Sequence, residues 1–142
     1  MSRKMIKLKP REAEEIAKLM NYKHYGRVVA IVQDAKTSEI LMAAFMDAKA
    51  VKQTLTTGLA HYKRRNRRTL WLKGETSHHY QHVKEIFIDC DNDALLLKVD
   101  QDVGACHLGY KSCFHRKLSA GKLKTVRKKI FKPEKVYSEK SR

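Results

Sequence analysis

The residues of this chain best suited to chemistry are three aspartates and three cysteines. Asp89, Asp91 and Asp93 alternate within the run IDCDNDALLL, residues 88–97, and Cys90 stands among them. Carboxylates crowded in this way repel one another unless a cation neutralises them, and oxygen-only ligation suits Mg²⁺ or Ca²⁺. The run is not an EF-hand, which needs Gly at its sixth position and Glu at its twelfth; Ala94 and Asp100 stand there. A polar hairpin tip with solvated aspartates accounts for the spacing equally well.

Cys106 and Cys113 lie in GACHLGYKSCFH, residues 104–115. The spacing of the three cysteines does not fit the short knuckle of structural zinc sites. Three thiolates gathered from separate elements would still form a tetrahedral site with one position left for water, as catalytic zinc requires. His107, next to Cys106, would then carry a proton or support a ligand. The alternative is three buried thiols acting as small hydrophobes. An odd cysteine count argues against a closed disulfide framework.

These residues need elements to position them. Pro10 to Tyr22 reads as a helix, with proline near the start, early Glu12, Glu14 and Glu15, and a stripe of Ile16, Leu19 and Met20. Val28–Asp34 and Glu39–Met46 form a hairpin-like pair of strands around 35–38. Asp47 caps a short helix, Ala48 to Thr57, that Gly58 stops. Further strands are expected at Ala60–Arg64, Thr69–Leu72, Tyr80–Asp91 and Ala94–Asp100, the last two meeting across Asn92-Asp93. In an extended strand Asp89 and Asp91 would face one way and Cys90 the other. The pattern predicts an α+β fold, predominantly antiparallel β with two helices. Its expected divisions are an N-terminal helical segment, 1–25, a catalytic domain, 26–118, and a basic extension, 119–142, packing on that domain.

At 142 residues and 42% hydrophobic, the chain can bury one domain-sized core. No apolar run approaches the ~20 residues of a bilayer span. Neither does the N-terminus carry the apolar core of a signal peptide, so a cytoplasmic protein is expected. The net charge of +16 is uneven: residues 116–142 hold 11 Lys or Arg against two Glu. A second basic cluster runs from Lys63 to Arg68. Such clusters attract nucleic acid, acidic membranes or phosphorylated small molecules, or simply form a solvated surface.

The motifs AIVQD (30–34), LMAAFM (41–46), TGLAHY (57–62), LWLKGETS (70–77), VKEIFIDCDNDALLLKV (83–99), GACHLGYKSCF (104–114) and IFKPEKVY (130–137) follow in one order. This set resembles the phosphoribosyl-AMP cyclohydrolase family of histidine biosynthesis, over roughly residues 26–137. The resemblance implies zinc at Cys90, Cys106 and Cys113 and magnesium at Asp89, Asp91 and Asp93. It also implies an intertwined homodimer whose zinc site draws cysteines from both subunits. The reaction it implies is hydrolytic opening of the N1–C6 bond of the substrate's adenine ring, with His107 moving the proton. Arg65, Arg67, Lys73, Glu75, Thr76 and Ser77 are expected around the substrate and its phosphates, and Trp71 as core residue or adenine wall. The sequence departs from the family at Arg64 and Asn66, where serines are usual, at His78 in place of glycine, and at Leu108 in place of threonine. The last two are expected near substrate, weakening its binding. Rival readings are a zinc hydrolase of another purine nucleotide and a nucleic-acid-binding protein using the basic clusters. The low aromatic content, 8%, and the lack of a nucleic-acid motif weigh against the second.

Overall fold

The computed structural model describes residues 5–64 and 69–137. Its elements run α1 (Pro10–Leu19), β1 (Val28–Asp34), β2 (Ile40–Met46), α2 (Ala48–Thr57), β3 (His61–Lys63), β4 (Leu70–Leu72), β5 (Gln81–Ile88), β6 (Ala94–Gln101), β7 (Arg116–Ser119), β8 (Lys122–Thr125) and α3 (Pro133–Tyr137). Six strands form one sheet in the order β4-β3-β2-β1-β6-β5, and β7 with β8 form a separate ribbon. All pairings are antiparallel except β1 with β6, which run parallel. The α+β class with a mostly antiparallel sheet is therefore borne out.

Local chemistry explains most element ends. Pro10 opens α1, whose missing amide costs nothing in the first turn, and the Glu12 carboxylate accepts from the Lys9 amide. The Asp47 side chain accepts from Ala50 N–H, and Gly58 at φ +77° closes α2 by donating to Thr54. In β1, Val28, Ala30, Val32 and Asp34 are buried while the intervening residues are less so. That period of two sets one sheet face against α1 and α2. The core there joins Ala13, Ala17 and Met20 to Val51 and Leu55, and to Leu41, Leu95, Leu97 and Val99 of the sheet.

Three expectations need correction. Strand β5 ends at Ile88, not Asp91, because the chain turns at Asp89. The Asp89 carboxylate accepts from the amides of Asp93 and Ala94, its carbonyl accepts from Asn92 N–H, and Asn92 adopts φ +61°. Strand alternation therefore does not govern the directions of Asp89, Cys90 and Asp91. A third helix, α3, joins the two expected; at five residues it is too short to show an apolar stripe. Residues 116–125 form an exposed hairpin, turned at Ala120 and Gly121 with φ of +48° and +78°. Two successive residues at positive φ make the tight turn that matches strand twist; Gly121 enters that region freely, whereas Ala120 is not a residue that announces it.

Candidate active site

The acidic turn joins β5 to β6. One oxygen from each of Asp89, Asp91 and Asp93 lies within 4.8 Å of the others. Lys23, in the segment between α1 and β1, places Nζ 3.0 Å from Asp91 Oδ2 and 3.0 Å from Asp93 Oδ2. His24 Nε2 lies 3.2 Å from the same Asp93 oxygen. A hydrogen bond from Asp91, and then the Lys23 ammonium, hold the Asp93 carboxyl well below the usual range. Partial desolvation pushes Asp89 up. The two carboxylates are thus pushed in opposite directions by their surroundings, as neighbouring acidic groups commonly are.

The cysteine loop, 104–115, is built differently. Cys113 N–H donates to the Leu41 carbonyl at 2.7 Å and Ser112 Oγ to the Ile40 carbonyl at 2.7 Å, which fastens the loop to β2. The loop closes on itself through Ala105 N–H to Lys111 and Cys106 N–H to Tyr110. Tyr110 stacks on His115 at 3.8 Å. Lys111 Nζ reaches Asp34 Oδ2 at 2.5 Å and Glu39 Oε1 at 3.5 Å, pinning the loop to β1 and the start of β2. Cys106 is buried, and Leu108 N–H points at its sulfur, 3.5 Å away. The Cys113 thiol is pushed up to about 11, first by burial and then by Cys106 beside it. Two adjacent sulfurs are donors of the kind that soft and borderline cations take. Cys113 has an exposed residue surface although its sulfur is largely enclosed beside Cys106, and Cys90 is exposed on the acidic turn. Among the described residues, no group of three metal-ligating side chains includes a cysteine.

Between β4 and the cysteine loop opens a cleft of about 980 Å³. It brings together His107 and Cys113 with Trp71, Lys73, Glu75, Thr76 and Ser77. Lys73 is buried, donates to the Ala105 carbonyl at 2.6 Å, and lies 5.2 Å from the Trp71 ring centre. Burial depresses its pKa, although the nearby thiols oppose this. Glu75 accepts from Leu72 N–H and Ser77 Oγ from His79 N–H, so both side chains shape the loop that bears them. Trp71 packs partly on the core and partly on the cleft, with Arg64 stacked 4.7 Å from its ring. Arg64, Phe114 and Tyr137 also line the cleft without having been singled out for it from sequence. Arg65, Asn66 and Arg67 lie outside the described residues.

A family model described as phosphoribosyl-AMP cyclohydrolase matches residues 42–115. The phosphoribosyl-AMP cyclohydrolase of Methanothermobacter thermautotrophicus is 47% identical over 128 residues, covering 85% of this chain and 92% of that protein. That of Pyrobaculum calidifontis is 59% identical over 106 residues, 74% of this chain and 83% of its own. The histidine biosynthesis bifunctional protein HisIE of Thermoanaerobacter pseudethanolicus is 48% identical over 124 residues, 87% of this chain and 57% of that protein. The chain belongs to the phosphoribosyl-AMP cyclohydrolase family. The expectation of an enzyme of this family is thereby borne out.

Seen as a cyclohydrolase fold, the matched stretch begins in β2 and ends at His115, so it contains the acidic turn and all three cysteines. His78 carries a backbone cost: its φ is +63°, a region glycine enters freely and histidine does not. Leu108 is 47% exposed, and neither it nor His78 is among the cleft-lining residues.

Proposed function

We propose that the protein hydrolyses 1-(5-phosphoribosyl)-AMP at the N1–C6 bond of its adenine ring, in histidine biosynthesis, with zinc and magnesium as its metals. The observation that carries this reading is the cleft in which His107, Cys113, Lys73 and a hydroxyl-bearing loop converge. In the net reaction a water oxygen joins C6, the N1–C6 bond breaks, N1 takes up a proton, and C6 becomes a carboxamide. His107, exposed in the cleft, is the candidate proton carrier. Thr76 and Ser77 offer hydroxyls, and Arg65 and Arg67 guanidinium forks, of the kinds that bind phosphate.

Cys106 and Cys113 would hold zinc with Cys90 of a second copy. Support comes from the adjacency of the first two thiols and the exposure of the third at a turn. When bound, zinc would supply a water that ionises near neutral pH. Asp89, Asp91 and Asp93 would take magnesium, whose preference for several oxygens fits three converging carboxylates. A homodimer is favoured by the outer sheet face, where Phe87, Leu96, Ile31 and Ala43 fall in one cross-strand row and Phe87 and Ile31 stay 49% and 40% exposed. Loading the purified protein with zinc and magnesium and following ring opening of phosphoribosyl-AMP tests the reading. Turnover is expected, and a zinc-loaded protein that leaves the nucleotide intact at saturation would sink it.

A further inference from the structure

The matched family model ends at His115, and the chain beyond it, including IFKPEKVY, returns to the cleft. After the β7–β8 ribbon, Arg127 pairs with Glu39 at the start of β2. Ile130 and Phe131 N–H groups then both donate to the Gly109 carbonyl, at 2.8 and 3.3 Å. A Cβ at Gly109 would meet the Phe131 carbonyl oxygen at 2.7 Å and Pro133 Cδ at 3.2 Å. One at Gly104 would come within 3.1 Å of Phe131 Cε1. Two glycines of the cysteine loop thus make the bed in which residues 129–133 lie. The Phe131 ring also meets His79 edge-on, with centres 4.7 Å apart. His79 closes the loop carrying Glu75, Thr76 and Ser77, so one phenyl group touches both walls of the cleft.

This segment is a strap, and what it delivers is Tyr137. Held by α3, Tyr137 lines the same cleft as His107, Cys113 and Trp71. A purine ribosylated at N1 is electron-poor and prone to carry positive charge, and such a ring is well received by aromatic faces. The phenol adds a hydroxyl that can donate to a phosphate or ribose oxygen or to the base. Building on the proposed reaction, we infer that Tyr137 is a substrate-binding residue, carried into the active site by a C-terminal strap that Phe131 fastens across the cysteine loop. The strap couples formation of the loop bearing Cys106 and His107 to completion of the pocket.

The test compares the zinc- and magnesium-loaded full chain with its Tyr137→Phe, Tyr137→Ala and Phe131→Ala variants. Loss of one hydroxyl contact should raise KM about 10-fold, and loss of the ring as well about 30-fold or more. The kcat, zinc content and melting temperature of the two Tyr137 variants should stay near wild type, which a purely structural role would not produce. Phe131→Ala should raise KM as Tyr137→Ala does, and the double variant should be no worse than either. Wild-type KM in Tyr137→Ala overturns the inference while leaving the reaction standing. If the wild-type protein does not open phosphoribosyl-AMP, the reaction fails, and AMP binding becomes the readout. Weaker AMP binding by Tyr137→Ala then still supports the strap's role. Equal binding by both proteins, or none by either, overturns it.

Discussion

The acidic turn and the cysteine loop differ in where their parts come from. Asp89, Asp91 and Asp93 are neighbours in sequence, and a single turn folds their oxygens to within 4.8 Å. The turn's carboxylates are gathered locally, Asp89 accepting from the amides of Asp93 and Ala94, while Asn21 N–H to the Asn92 carbonyl and Val29 N–H to the Asp93 carbonyl tie the finished turn to the rest of the fold. The cysteine pair depends on long-range contacts, from Cys113 to Leu41, Ser112 to Ile40 and Lys111 to Asp34. Even so it supplies two thiols, not three. A locally encoded site can form in one chain, whereas a site assembled from distant parts can be shared between chains, and its loss should be more damaging.

That contrast breaks most sharply at Cys106. Removing this thiol alters the proposed Lewis acid itself, so Cys106→Ser should lower turnover by more than about 100-fold, beyond what disturbing the partners of a metal ligand costs. Zinc per subunit, measured by elemental analysis, should fall in parallel, with the melting temperature far less affected. Asp91→Asn should be milder and should recover with added magnesium, because hard oxygen sites exchange their cation readily. Equal, unrecoverable losses in both variants would erase the distinction between the two sites.

Sharing is tested by mixing. Cys90→Ala and Cys106→Ala proteins should each be inactive, but co-refolded together they should regain about a quarter of the wild-type sites. Random pairing makes about half the dimers mixed, and each mixed two-fold dimer holds one intact site of two. No recovery, with mixed dimers demonstrated, would place all three cysteines of a working site in one chain.

Much of this was legible in the residues because the informative signals were local. Asp47 and Gly58 bound α2 as capping chemistry requires, and period-two burial in β1 follows its Val-Ala-Val face. The aspartate cluster was legible from spacing, while its geometry was not. The residues around it look like strand, and only Asn92 at positive φ and the Asp89 side chain turn them into a loop. IFKPEKVY was visible as a motif, but its role as a strap was hidden for the opposite reason. Phe131 and Tyr137 sit in a lysine-rich stretch whose composition reads as solvated surface, and their meaning lies in Gly104 and Gly109, more than 20 residues upstream. No periodicity reports a contact of that kind. Family resemblance supplied the metal assignments, which the spacing of the cysteines alone left open.

The cysteine loop's long-range fastening should also be acid-sensitive. Burial raises the Asp34 carboxyl, but hydrogen bonds from Lys111, the Lys36 amide and the Thr37 hydroxyl outweigh it and hold its pKa below the ordinary value. A depressed carboxyl contributes stability that is present above its unfolded pKa, about 3.9, and is lost as pH falls through the folded value. Lys111 is raised, chiefly by the Asp34 hydrogen bond, so its share persists until strongly alkaline pH. Asp34→Asn should cost about 2 kcal/mol at neutral pH. The gap between the wild-type and variant melting curves should close progressively below pH 4. A gap unchanged down to pH 2 would mean that the Asp34 charge does not fasten the loop.

The smallest expected effect sharpens the acidic turn. Lys23 places its ammonium 3.0 Å from both Asp91 and Asp93, the position from which a cation would be repelled. Magnesium binding must therefore displace the ammonium, and Lys23 is exposed enough to swing aside at little cost. Lys23→Ala removes the competitor while leaving the three carboxylates and the Asp89 turn bonds in place. The half-saturating magnesium concentration for activity should fall by about 2- to 5-fold, the scale on which exposed ion pairs act. High salt should shrink that difference, since it screens the ammonium in the wild type as well. A higher magnesium requirement in the variant would reverse the assignment: Lys23 would then hold the aspartates in their binding geometry, fastening the turn as Lys111 fastens the cysteine loop.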